Sequence, residues 1–119
     1  MKKILIIEDE KTLSKALELK LRLSGFAVTT AFDGESGVAI LLKESFELIL
    51  LDLVMPKMGG LEVLAILKEK NILTPVMVLS NLSQESDMRR TKELGAKEFF
   101  IKSSTPLMTI VGRVMELLK

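Results

Sequence analysis

The stretch Leu48-Ile49-Leu50-Leu51-Asp52-Leu53-Val54-Met55 sets one carboxylate among seven apolar residues. The run falls far short of the roughly 20 residues that cross a bilayer, and it lacks the three- and four-residue spacing of an amphipathic helix. It reads as a strand buried on both faces. Similar short runs flank it at Ile4–Ile7, Val76–Leu79 and Phe99–Ile101, with a weaker one at Phe26–Thr30. Between them the apolar residues recur at helical steps: Leu13/Leu17/Leu21, Val38/Leu41/Leu42, Leu61/Leu64/Leu67, a more polar segment around Met88/Thr91/Leu94, and Leu107/Ile110/Val111/Val114/Leu117.

Punctuation follows the same alternation. Gly25 and Gly95 stand where helices would end in a left-handed residue, and Asp33-Gly34 would open the second helix. Ser104-Thr105-Pro106 predicts a cap followed by proline at the first helical position. Strand and helix alternate five times with no repeat, low-complexity tract or linker, which predicts one domain over residues 1–119. With right-handed crossovers, the expected fold is α/β: a doubly wound, five-stranded parallel sheet of flavodoxin-like order 2-1-3-4-5.

Composition narrows the chemistry. The chain has 119 residues, 48% of them hydrophobic, enough to build a core without a covalent staple. It contains no Cys and no His, which removes disulfides, thiolate or imidazole metal ligation, Cys nucleophiles and Ser-His-Asp hydrolysis. Seventeen basic and 16 acidic residues leave a net charge of +1, and Trp and Tyr are absent, so neither a basic field nor a stacking platform invites nucleic acid. The apolar run after Lys2-Lys3 stops at Glu8-Asp9-Glu10, too early for a signal peptide. A cytoplasmic protein with no membrane contact is expected.

In open α/β sheets, sites form beyond the carboxyl ends of the strands. Here those ends carry Glu8-Asp9-Glu10, Asp52, Ser80-Asn81 and Lys102-Ser103. Taken singly, Asp9 and Glu10 read equally as helix-capping or dipole-facing acids, Ser80 as a loop hydroxyl and Lys102 as a solvated lysine. Asp52 resists such a reading, because an uncompensated carboxylate in so apolar a setting is costly. Glu8, Asp9 and Asp52 on adjacent strands would repel one another unless a cation lay among them, and oxygen donors alone suit Mg²⁺. Magnesium sites are commonly completed by phosphate oxygens, which Lys102 and Ser80 could help to hold. With Cys and His missing, the nucleophile for phosphoryl chemistry would be a carboxylate.

The residues Lys3-Ile4-Leu5-Ile6-Ile7-Glu8-Asp9-Glu10, Asp52-Leu53-Val54-Met55-Pro56-Lys57-Met58-Gly59-Gly60, Val78-Leu79-Ser80, Leu94-Gly95-Ala96 and Phe99-Phe100-Ile101-Lys102 carry a specific resemblance. Over essentially its whole length the chain resembles the receiver domains of two-component response regulators. The resemblance implies that Asp52 accepts a phosphoryl group from a partner histidine kinase. Glu8 and Asp9 would be the acidic pair beside Mg²⁺, and Val54 would lend it a backbone carbonyl. It further implies that Ser80 is the switch hydroxyl, Lys102 the phosphate-facing lysine and Phe99 the aromatic switch. Such a domain catalyses its own phosphorylation and dephosphorylation and turns over no separate substrate. It stands alone or belongs to a longer regulator.

Three positions depart from the family pattern. Asn81 replaces a small residue, so its amide would crowd or bond the phosphoryl group. Ser103 replaces a proline that follows a cis bond; a cis bond before serine costs ~3 to 4 kcal/mol, which predicts a trans bond or a rearranged loop. Phe99 replaces a frequent tyrosine. Rival functions fit less well. A haloacid dehalogenase-type phosphatase needs a second acid where Val54 stands, and a flavodoxin-like cofactor binder would not place Glu8-Asp9-Glu10 against a phosphate. A phosphorylation-independent pseudo-receiver, acting as a protein-binding module, is the alternative. For output, Met108, Gly112 and Met115 would lie beside the core stripe of the fifth helix. With Arg89, Arg90 and Arg113 they mark the face of helix four, strand five and helix five as a surface for a homodimer or target.

Overall fold

The computed structural model describes residues 1–81 and 85–119. Five parallel strands, β1 (Lys3–Ile7), β2 (Ala27–Ala31), β3 (Leu48–Asp52), β4 (Val76–Ser80) and β5 (Glu98–Ile101), form one sheet in the order β2-β1-β3-β4-β5. The helices between and after them are α1 (Lys11–Leu23), α2 (Gly34–Leu41), α3 (Gly60–Glu69), α4 (Glu85–Glu93) and α5 (Leu107–Leu117). The doubly wound order read from the alternation is the one observed. No helix among the described residues is long and apolar enough to cross a membrane.

Side-chain alternation splits the sheet into two core layers. Leu5, Ile7, Ile49, Leu51, Val76 and Val78 face Leu41, Val63, Leu64 and Leu67 from α2 and α3. Ile4, Ile6, Leu48, Leu50, Met77 and Leu79 face Leu17, Leu21, Ile110, Val111 and Val114 from α1 and α5. Every residue of β3 and β4 is buried, which explains their unbroken apolar runs, whereas β5 at the sheet edge is only half-buried. Helix α4 is polar, with Thr91 buried against the sheet.

The left-handed turns are found at Gly25 (φ 97°) and Gly95 (φ 99°), and Asp33 caps α2 by accepting the Ser36 N–H at 2.7 Å. Three local expectations need correction. Leu42 lies beyond the last turn of α2 and is exposed, not part of its core stripe. Strand β2 starts at Ala27 and ends at Ala31, one residue later than its apolar run, because pairing with Lys3–Ile7 sets its limits. Thr105 does not cap α5, and neither does Ser104. It ends a 3-10 turn, Lys102–Ser104, and Pro106 itself takes the N-cap position, where its carbonyl accepts the Thr109 N–H at 3.0 Å.

One close approach fixes the end of β3. A Cβ on Gly60 would lie 2.3 Å from the Asp52 carbonyl oxygen and 2.8 Å from Leu53 Cα, so only glycine lets the first turn of α3 sit against that strand end. The Gly60 N–H donates to the Leu53 carbonyl at 2.9 Å and closes the turn.

Candidate functional site

The parallel register brings the carboxyl ends of four strands to one edge. Ile7 pairs with Leu51, Asp52 with Leu79, and Ser80 with Ile101, so Glu8, Asp52, Ser80 and Lys102 follow one another across the sheet. Asp52, Ser80 and Lys102 line a cavity of about 530 Å³ together with Asp9, Glu10, Val54 and Asn81. Six of these seven were singled out as acids, hydroxyls, amides or the lysine at strand ends, and Val54 by resemblance.

Glu8 and Asp52 are buried, Asp9 is exposed at the mouth, and single carboxylate oxygens of the three lie within 4.8 Å of one another. Neither Asp9 nor Glu10 caps a helix with its side chain, since Glu10 occupies the N-cap of α1 without a side-chain bond. Glu8 is fixed from two sides: its backbone N–H donates to the Ala31 carbonyl at 3.0 Å, and its Oε2 accepts the Glu10 N–H at 2.9 Å. Asp52 Oδ1 accepts the Val54 N–H at 3.4 Å, while the Val54 side chain projects into solvent.

The repulsion expected among these acids is answered within the protein. Lys102 Nζ stands 2.8 Å from Glu8 Oε1, 3.2 Å from Asp52 Oδ2 and 3.6 Å from Glu10 Oε2. Burial pushes the Glu8 carboxyl up to about 7, against the pull of Lys102 and the Glu10 N–H and with added repulsion from Asp52. Burial likewise raises Asp52, and Lys102 opposes that rise. Burial pulls the Lys102 ammonium down, but Glu8 and Asp52 outweigh it and hold its pKa above the ordinary lysine value. The donor set fits a hard divalent cation: two buried carboxylates and one exposed one converge, and no nitrogen or sulfur ligand is among them.

Ser80 is fully buried, and alternation along β4 points it to the same face as Val78 and as Phe99, the residue paired with Val78. Phe99 stands apart from the acidic cavity. It packs against the α2–α3 core layer and lines a cavity of about 250 Å³ with Met88, Thr91, Lys92, Ala96, Lys97 and Glu98. Two contacts escaped the sequence: the Lys102–Glu8 pair, and a bond in which Asn81 Oδ1 accepts the Ser103 N–H at 2.8 Å. The peptide bonds of this loop are trans.

Residues 4–111 match the family model of the response regulator receiver domain. The transcriptional regulatory protein DltR of Streptococcus agalactiae is 36% identical over 100 residues, covering 84% of this chain and 45% of that protein. The chain thus spans less than half the length of the curated relatives it matches, 45% for DltR and 44% for PhoP of Bacillus subtilis. Among solved structures, the receiver domain of Francisella response regulator 1452 is 27% identical with a TM-score of 0.92, over 98% of this chain and 96% of that one. The response regulator TrrA of Thermotoga maritima, solved in complex with Mg²⁺ and BeF, is 28% identical with a TM-score of 0.85, over 98% and 99% of the two chains.

Proposed function

The chain belongs to the receiver domains of two-component response regulators, and from that membership we propose that it is a phosphorylation-activated switch whose phosphoacceptor is Asp52. The observation that carries this reading is the placement of Asp52: a buried carboxylate at a strand end, open to one cavity, with Lys102 and two further acids around it. The donor is the phosphohistidine of a partner histidine kinase in the cytoplasm, and residues 1–119 act as one receiver unit. The phosphorus–nitrogen bond breaks as a phosphorus–oxygen bond forms to an Asp52 oxygen, and the electron pair returns to the imidazole.

Glu8, Asp9 and Asp52, with the Val54 carbonyl, are the residues that would hold Mg²⁺. When bound, the ion supplies positive charge against the phosphoryl oxygens. The chain's own groups do the rest. The Val54 N–H orients one Asp52 oxygen, which leaves the other to attack. Lys102 exchanges its carboxylate partners for phosphoryl oxygens as negative charge is carried into the cavity. The Ser80 hydroxyl turns to the phosphoryl group, and Phe99 moves against α4 in response. The altered face of α4, β5 and α5 then takes a second copy of the chain or a target, and the domain itself binds no nucleic acid.

The pseudo-receiver alternative is set aside because Asp9, Asp52 and Lys102 line one cavity, and Glu8 clusters with the two acids and pairs with Lys102. Mass spectrometry after incubation with acetyl phosphate tests the proposal. One base-labile phosphoryl group should appear, only with Mg²⁺ present, and it should be absent from Asp52→Asn. Full labelling of Asp52→Asn would sink the assignment.

A further inference from the structure

Asn81 and Ser103, two separate departures from the family pattern in sequence, are one interaction in space. The β4–β5 register ends at Ser80 and Ile101. One residue past that end, Asn81 Oδ1 accepts the Ser103 N–H at 2.8 Å, so a side chain continues the cross-strand connection where the ladder has stopped. The acceptor meets a definite need. Lys102–Ser104 is a 3-10 turn whose N-cap residue is Ile101, and an isoleucine side chain cannot accept a hydrogen bond. The first N–H groups of such a turn have no partner within it, and Asn81 supplies one from the neighbouring strand.

Lys102 is the first residue of that turn, and its Nζ is the group that meets Glu8 and Asp52. A proline in place of Ser103 would have no N–H to donate, so Asn81 can serve in this way only because another residue stands there. We propose that Asn81 is a positioning residue: by capping the Lys102–Ser104 turn from just past the end of β4 it holds the Lys102 ammonium over Asp52 for phosphoryl transfer. This rests on the function proposed above. Both residues are exposed, so the bond competes with water and its effect is a modest one.

The test compares the full chain with Asn81→Ala, Ser103→Ala, Ser103→Pro and the Asn81→Ala/Ser103→Pro pair. Initial rates of Asp52 phosphorylation by acetyl phosphate in Mg²⁺ are measured, along with NMR order parameters of the Lys102 side chain. Asn81→Ala should slow transfer about threefold to fivefold, the size of one solvent-facing hydrogen bond. It should also loosen the Lys102 methylenes. Ser103→Ala keeps the N–H and should match the wild type in both readouts. Whatever Ser103→Pro does alone, adding Asn81→Ala to it should change nothing more, because the donor is already gone. A purely structural bond would shift the melting temperature and leave Lys102 as ordered as before. Unchanged Lys102 order in Asn81→Ala, or an Asn81→Ala effect that persists in the Ser103→Pro background, would overturn the proposal. A wild type that takes up no phosphoryl group would overturn the proposed function instead, and the Lys102 order parameters would still decide whether Asn81 positions the lysine.

Discussion

Lys102 and Glu8 form a buried ion pair, Nζ to Oε1 2.8 Å, with side-chain exposures of 12% and 2%. The lysine thereby does part of the work that the sequence assigns to a metal ion: it places positive charge among carboxylates that would otherwise repel. Mg²⁺ would therefore enter a cluster already partly neutralised, and its binding would be coupled to where the lysine goes.

Glu8 makes this coupling sensitive to pH. Its carboxyl is raised from an ordinary 4.5 to about 7, so between those values the folded chain binds a proton that the unfolded chain has lost. Stability in chelator should therefore fall as pH rises from about 4.5 to about 7, the opposite of the usual salt-bridged acid. Magnesium needs the carboxylates ionised, so its apparent affinity should rise over the same interval. Thermal melts and Mg²⁺ titrations across this range check both slopes, and Glu8→Gln should flatten the first.

Asp52 and Lys102 should respond to neutralisation in opposite directions. Burial favours the uncharged form of Asp52, so Asp52→Asn should raise the melting temperature in chelator at pH 8. Lys102→Ala leaves Glu8 and Asp52 buried without their countercharge. Removing one partner of a buried pair costs about 3–5 kcal/mol, less whatever protonation of Glu8 recovers. Millimolar Mg²⁺ should restore much of that loss, and phosphoryl transfer should remain slow even with the metal site filled. Calorimetry with and without Mg²⁺ separates the two effects, and equal melting temperatures in both buffers would show that the acids do not share a cation.

Gly60→Ala tests the seating of α3 on the end of β3. The new Cβ would meet backbone, the Asp52 carbonyl oxygen at 2.3 Å, which cannot rotate aside as a flexible side chain would. A loss of about 1–3 kcal/mol in urea denaturation is expected, with slower phosphorylation because Asp52 moves with its carbonyl.

The proposed output face can be probed at α5. Met108 and Met115 are 60% and 48% exposed, while Ile110, Val111 and Val114 are buried against the sheet, so the methionines lie on the solvent side of the helix. Arg113 of the same helix pairs with Glu98 of β5 and stitches the two elements together. Sedimentation velocity with Mg²⁺ and beryllofluoride should show a heavier species that Met115→Glu abolishes. No change in mass on activation would reject the homodimer.

The elements, their alternation and the residues delivered to the sheet edge were legible in the amino-acid order. Each of these is a local property: a buried parallel strand must be apolar throughout, a helix on its face must repeat at three and four residues, and Asp52 had to mean something because so little else in its neighbourhood was polar. Which of those polar groups touch depends on how the strands are laid side by side. That Lys102 pairs with Glu8 depends on β1 and β5 being separated by β3 and β4 in this register, and a one-residue slip would turn the edge residues to the other face. The start of α5 departs from the expected cap for a related reason. Pro106 is compatible with either the N-cap or the first helical position, and the 3-10 turn that carries Lys102 to the site selects the first. Asn81 and Ser103 show the limit most directly: each is an ordinary polar residue in its own segment, and the bond between them exists only because the sheet lays β4 beside β5.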